Sequence, residues 1–187
     1  MRLLLLLLFS VVVVSPFTIN LENFTSPPQK HTLLNKLFSF RPFRTFALSN
    51  ITISIEEGSS HAFIGTSDSG KSSLLRQLQL IADDSRDCFS VVSLAAGDGT
   101  ISSSTSPPNL SRSELILDTI SSFCTLPLPT LLLLDEYLDK ETTAIRHQVY
   151  SKLMSNPAFS LLVATHKKSD ASLFQHLHEL SAGRIIK

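Results

Sequence analysis

Apolar residues follow two patterns in most of this 187-residue chain. In one they form short runs, and in the other they recur every three or four positions along longer amphipathic stretches. The short runs predict strands at 46–55, 60–64, 88–95, 130–135 and 159–165, and a turn between short apolar pieces at 178–187. Apolar residues three or four positions apart predict helices at 73–82, 111–123 and 140–154. Because helices alternate with apolar strands, we expect an α/β fold with a mostly parallel sheet and helices on both faces.

The N-terminal part of the chain differs in composition from the rest. A positive start precedes an apolar run at 3–14, which is typical of a signal peptide; a slightly longer run would be a borderline membrane anchor, and a wrongly assigned start is the third alternative. The basic, Ser/Thr-rich stretch that follows resembles the leaders of algae with complex plastids. We divide the chain into a signal or targeting segment at 1–16, a leader or linker at 17–37 and a domain at 38–187. An organelle is the expected location, with a plastid favoured and membrane anchoring as the alternative.

Charge and cysteine content limit the candidate partners. The chain has 16 Lys and Arg against 16 Asp and Glu, so its formal net charge of +0 gives no electrostatic reason to expect a nucleic-acid partner. Cys88 and Cys124 have no CxxC spacing and no His-rich surroundings. They are interpreted as small buried hydrophobic residues, and neither a disulfide framework nor a zinc site is expected.

A phosphate-binding loop is predicted between the strand at 60–64 and the helix that follows it. Residues 65–72 read GTSDSGKS and satisfy G-x-x-x-x-G-K-[ST] in full. The glycines allow a tight turn, so that backbone amides and the helix N-terminus converge on phosphate. Lys71 would bind the β- and γ-phosphates, and the Ser72 hydroxyl would bind Mg²⁺. The predicted nucleotide-binding residues are Gly65, Thr66, Ser67, Asp68, Ser69, Gly70, Lys71, Ser72 and Ser73.

Two further strands are predicted to deliver chemistry to the same edge of the sheet. The apolar run 131–134 ends in Asp135, which would hold Mg²⁺, and Glu136, which would act as general base on a water. The next strand ends in His166, which could hydrogen-bond the γ-phosphate or that water. We expect these strands to adjoin the one before the phosphate loop. The alternative interpretations are acids at a helix N-terminus and a solvated loop histidine.

Together these segments resemble the nucleotide-binding domain of ABC-type ATPases. The resemblance covers 46–187 and rests on a lead-in strand at 46–58, the phosphate loop, a Walker B-like strand at 131–136, a switch-histidine segment at 164–166 and a closing hairpin at 179–186. It implies a P-loop NTPase fold with a small N-terminal antiparallel β portion, ATP and Mg²⁺ as ligands, and a head-to-tail homodimer or heterodimer. Phe40 and Phe43 are candidates for the aromatic residue that stacks on adenine in that family.

The chain also departs from the family pattern, as a minimal and divergent member would. The best match to the LSGGQ signature is LSRSE at 110–114, in which Arg112 and Ser113 replace both glycines. Arg112 could bind a γ-phosphate, or Ser111 and Glu114 could simply form a helix capping box. The span that usually holds the helical subdomain is short, and no glutamine occurs between Gln79 and Gln148. This argues against a membrane partner and for slow hydrolysis.

These observations leave three hypotheses for function. The first is an ABC-like ATPase that binds MgATP, hydrolyses it slowly and has no evident coupling to a transporter, with Glu136 and His166 as catalytic residues. The alternative is a nucleotide-binding regulatory or scaffold subunit with little or no hydrolysis. A small-molecule kinase that uses the same loop is the third.

Overall fold

A computed structural model describes residues 17–26, 48–83, 89–96, 111–123 and 129–186. Its strands are β1 (Thr18–Phe24), β2 (Ile51–Glu56), β3 (Ser60–Ile64), β4 (Ser90–Ala95), β5 (Thr130–Asp135), β6 (Phe159–Thr165), β7 (His176–Ser181) and β8 (Arg184–Ile185). Its helices are α1 (Lys71–Asp83), α2 (Arg112–Phe123), α3 (Thr143–Met154) and a 3₁₀ helix, Lys168–Leu173. None of the helices in these ranges is long and apolar enough to cross a membrane. The predictions for 1–16, Phe40, Phe43, Cys88, Cys124 and Leu110 lie outside the described residues.

Six strands form one sheet in the order β4-β5-β6-β3-β7-β8, in which all neighbours are parallel except β7 and β8. The alternation of β5 shows why both faces are covered. Leu131 and Leu133 pack in the core that contains α1, whereas Leu132 and Leu134 pack in the core that contains α2 and α3. A strand buried on both faces reads as a continuous apolar run, as 131–134 does. The predicted α/β fold is confirmed.

A small antiparallel sheet of β1 and β2 lies beside the larger one. Ile51, Ile53 and Ile55 of β2 are buried, and the residues between them are exposed, which is the predicted alternation. The partner strand, however, comes from within 17–37, the stretch assigned to a leader or linker. Ile19 and Leu21 of β1 are buried in the same core. The domain therefore includes 17–26, because the period-two apolar pattern of β1 decides packing in spite of its leader-like composition.

We expected the strands that end before Glu136 and His166 both to adjoin the strand before the phosphate loop, and the observed strand order shows that only one of them does. β6 lies between β3 and β5, so the strand that ends in Asp135 does not adjoin the strand that ends at Ile64. In register, Ile64 pairs with Thr165, and Asp135 pairs with Ala164. The carboxyl ends of the three parallel strands therefore meet at one edge of the sheet, which is where open α/β sheets bind ligands.

Candidate nucleotide-binding site

The loop between β3 and α1 requires glycine at two positions for different reasons. A Cβ atom on Gly65 would lie 2.5 Å from both the Leu180 carbonyl oxygen and the Ser69 hydroxyl oxygen, so no larger residue fits. Gly70 has a φ of +103°, a conformation that residues with a side chain rarely adopt. The loop thus turns tightly just before α1 begins at Lys71, and the free backbone amides of the first turn of that helix lie at the loop.

This loop fits a polyphosphate. The Ser69 hydroxyl is buried and has no hydrogen-bond partner among the described residues, which is a cost that a bound oxygen acceptor would remove. The positive end of the α1 dipole and the first amides of the helix favour an anion at the same place.

Lys71 lies inside the loop and not in solvent, since its side chain is only 3% exposed. Its Nζ donates to the carbonyl oxygens of Gly65 and Thr66, each at 3.1 Å, and lies 3.7 Å from Glu136 Oε1. Burial lowers the pKa of Lys71, and the charges of Glu136 and Asp135 oppose that effect. The ammonium group is therefore held at the centre of the loop by carbonyl groups and by a carboxylate.

Ser72 and Asp135 form an oxygen pair next to that ammonium group. Ser72 Oγ donates to Asp135 Oδ1 at 3.0 Å. Burial raises the pKa of Asp135, the bond from Ser72 lowers it, and the charge of Glu136 raises it further. Mg²⁺ typically binds one or two protein oxygens together with phosphate oxygens and waters, so this pair has the ligand chemistry for that ion. The described residues contain no group of three or more His, Cys, Asp or Glu side chains arranged to bind a metal.

Glu136 and His166 are in direct contact. Glu136 Oε1 lies 2.6 Å from His166 Nε2. His166 Nδ1 lies 2.8 Å from the carbonyl oxygen of Gly65 and 3.4 Å from Lys71 Nζ. Glu136 itself has a left-handed backbone with a φ of 53°. Strained conformations of this kind cluster at functional sites. The structure thus brings together Lys71, Ser72, Asp135, Glu136 and His166.

Asp139 is a member of this site that the residue patterns did not reveal. Its carboxylate accepts from Thr165 Oγ1 at 2.7 Å and from the backbone N–H of His166 at 3.1 Å. In this way the loop after β5 holds the end of β6 in place.

The signature-like segment has partners in its own chain. The backbone N–H of Ser111 donates to Glu114 Oε2 at 2.7 Å, and the backbone N–H of Glu114 donates to Ser111 Oγ at 3.3 Å, which is a capping box at the start of α2. Arg112 donates to Glu141 Oε1 through Nε at 3.2 Å and Nη2 at 2.7 Å. The capping alternative is therefore present, and the Arg112 guanidinium is paired within the chain.

Comparison with solved structures identifies the fold. The chain resembles a bacterial Atm1-family ABC exporter with ATP bound, with a TM-score of 0.57 and 16% identity over 94% of this chain and 39% of the exporter chain. It also resembles a nucleotide-free ATP-binding cassette from an ABC transporter, with a TM-score of 0.62 and 14% identity over 92% of this chain and 90% of the cassette. No protein-family model and no curated protein matches the sequence. The chain has the fold of ABC ATPase cassettes.

Proposed function

We propose that this protein binds MgATP at the loop 65–73 and hydrolyses it slowly, as a minimal ABC-like P-loop ATPase. The observation that supports this proposal most strongly is the convergence of a buried lysine, an oxygen pair and a carboxylate–histidine pair at one sheet edge. Each of these has a role in phosphoryl transfer to water.

The loop and its lysine would bind the nucleotide. The backbone amides of 66–73 and the Ser69 hydroxyl would donate to phosphate oxygens, and Lys71 Nζ would exchange its carbonyl partners for the β- and γ-phosphates. Ser72 Oγ and Asp135 Oδ1 would hold Mg²⁺, which supplies positive charge against the phosphates when it is bound. Binding would thus depend on both the ammonium group and the Ser72–Asp135 oxygen pair.

Glu136 would accept the proton of the attacking water, and His166 would orient that water or the γ-phosphate. In the structure, Glu136 Oε1 is already engaged by His166 Nε2 at 2.6 Å and lies 3.7 Å from Lys71 Nζ. The carboxylate must leave these partners before it can accept a proton from water. This requirement supports slow turnover.

The proposal is tested by titrating the full-length protein with MgATP in a calorimeter and by measuring phosphate release. Lys71→Ala should abolish binding, while Glu136→Gln should bind like wild type and lose turnover by about 100-fold or more. Arg76→Gln is the control, because Arg76 is exposed on the outer face of α1. Unchanged binding in Lys71→Ala would overturn the proposal. Wild-type turnover in Glu136→Gln would remove only the assignment of the base.

A second candidate function is a nucleotide-binding regulatory or scaffold subunit without turnover. The intrachain pairing of Arg112 with Glu141, at 2.7 Å, favours it, because the guanidinium must leave this partner before it can reach a phosphate on another subunit. Tight MgATP binding without phosphate release at any protein concentration would support this function. Steady release would reject it.

The ABC-like fold also leads us to propose self-association, as a head-to-tail homodimer or with a related chain as a heterodimer. Turnover per chain should then rise with protein concentration, and light scattering with the Glu136→Gln variant and MgATP should detect the dimer. The organelle location remains a prediction, since 1–16 lies outside the described residues. Mass spectrometry of the mature N-terminus tests it.

A further inference from the structure

The turn between β7 and β8 is in contact with the phosphate loop, although it lies more than a hundred residues later in the chain. Its two central residues, Ala182 and Gly183, have φ angles of 46° and 78°. Two consecutive positive φ angles give the tight two-residue turn that suits the twist of a hairpin. β7 pairs with β3, so the hairpin begins on the strand next to the one that leads into the loop.

Three contacts join this turn to the loop and to the segment before β2. The backbone N–H of Gly183 donates to the carbonyl oxygen of Ser69 at 2.8 Å. The carbonyl oxygen of Gly183 accepts from the N–H of Ser49 at 2.9 Å. A Cβ atom on Gly70 would lie 3.2 Å from the Cα atom of Gly183, so the two backbones meet without a side chain between them.

From these contacts we infer that Gly183 is a positioning residue for nucleotide binding. The inference rests on the proposed function of the loop. Ser69 and Gly70 are the two residues directly before Lys71, and their peptide groups decide where the last loop amides and the start of α1 point. The bond from Gly183 fixes the carbonyl group of Ser69 on the side of the hairpin. The N–H of Gly70 belongs to the same planar trans peptide group and therefore points to the opposite side. The turn thus acts as a backbone support for the loop without any contact to phosphate.

The test compares Gly183→Ala with Gly58→Ala in the full chain. Both glycines lie in turns with nearly equal φ angles, +78° and +74°, so alanine strains both backbones similarly. A Cβ atom on Gly58 would meet only the Pro157 carbonyl oxygen, at an ordinary 3.6 Å, at the other end of β3. Melting temperatures should therefore fall by similar amounts in the two variants.

The affinity for MgATP, in contrast, should differ between Gly183→Ala and Gly58→Ala. Gly183→Ala should weaken MgATP binding about tenfold and leave the turnover number at saturating ATP within twofold of wild type, whereas Gly58→Ala should change neither by more than twofold. Equal MgATP affinities in the two variants would overturn the inference and leave the proposed function intact. A wild-type chain that binds no MgATP would overturn both.

Hydrogen exchange on the wild-type protein supplies a second test that does not depend on folding of a variant. MgATP should slow exchange of the Gly183 amide, which is bonded to the loop, by about tenfold. It should leave the Ser59 amide, which is bonded to Glu56 within the distant turn at 3.1 Å, unchanged. Equal responses of the two amides, or no response of either, would contradict a support of the loop by the turn.

Discussion

Ser72 and Asp135 are separated by 63 positions in the chain and joined by a hydrogen bond of 3.0 Å. The hydroxyl comes from the first turn of α1, and the carboxylate comes from the end of β5, with β6 between β5 and the strand that precedes the loop. The hydrogen bond therefore passes over the carboxyl end of β6, which lies between these two elements at the edge of the sheet. This geometry places two side-chain oxygen atoms side by side without any proximity in sequence.

If this pair holds Mg²⁺, Asp135→Asn should separate the contribution of the ion from that of the phosphates. The amide oxygen can still accept from Ser72, but the negative charge is lost. Wild type should bind ATP more tightly with Mg²⁺ than with a chelator, and Asp135→Asn should lose most of that difference, roughly tenfold or more. Asp118→Asn, an exposed acid on α2, is the control for charge. A preserved Mg²⁺ dependence in Asp135→Asn would exclude this carboxylate as the ligand.

Most elements of the larger sheet could be predicted because their signals are local. The run 131–134 is apolar throughout, and β5 is buried on both faces. The glycine spacing of 65–72 marks the turn between β3 and α1 by itself. The position of β6 between β3 and β5 has no such local signal, since strand order is decided by packing between segments that are far apart in sequence. The sequence therefore predicted the strand ends but misplaced their neighbours.

The missed features have two causes, a leader-like composition in one case and contacts to backbone groups in the others. β1 was hidden because its composition is that of a leader, although Ile19 and Leu21 alternate as a half-buried strand does. Asp139 acts through the N–H of His166. Gly183 acts through the carbonyl oxygen of Ser69. No pattern of residues predicts such contacts, because any residue can supply a backbone donor or acceptor.

Asp139→Ala should lower turnover without lowering nucleotide affinity. The carboxylate bonds Thr165 Oγ1 at 2.7 Å and the N–H of His166 at 3.1 Å, so its loss frees the end of β6 and misplaces the imidazole. Phosphate-release kinetics should show a kcat about tenfold lower with a KM for MgATP within twofold of wild type. Lys140→Ala, at the exposed neighbouring position, should change neither constant. A rise in KM with an unchanged kcat would contradict a role of Asp139 in placing His166.

The buried ion pair of Arg146 and Asp170 should dominate the stability of the segment after β6. Arg146 Nε lies 2.7 Å from Asp170 Oδ2, and the two side chains are 4% and 0% exposed. Arg146→Leu leaves the carboxylate buried without its main partner and should lower the free energy of unfolding by about 3–5 kcal/mol in urea titrations. Lys168→Ala breaks the exposed pair with Glu179 and should cost about 1 kcal/mol or less. Similar losses in the two variants would contradict the difference in burial.

The free energy of unfolding should depend on pH through His61, which is 1% exposed on strand β3. Burial, together with the charges of His176 and His178, lowers its pKa to about 3, and burial also lowers the pKa of His178 to about 4. Both rings are therefore neutral in the folded protein at pH values where the unfolded chain, with a pKa near about 6.5, takes up protons. The stabilisation from these neutral rings is complete above about pH 6.5 and is lost as the pH falls toward 4 and 3, at up to about 1.4 kcal/mol per pH unit for the buried His61 ring and less for the half-buried His178 ring. His61→Gln has no charge to gain, so urea titrations from pH 7.5 to 4.5 should show a shallower loss of stability than in wild type, while His178 maintains part of the slope. Parallel losses in wild type and His61→Gln would show that His61 is protonated in the folded state.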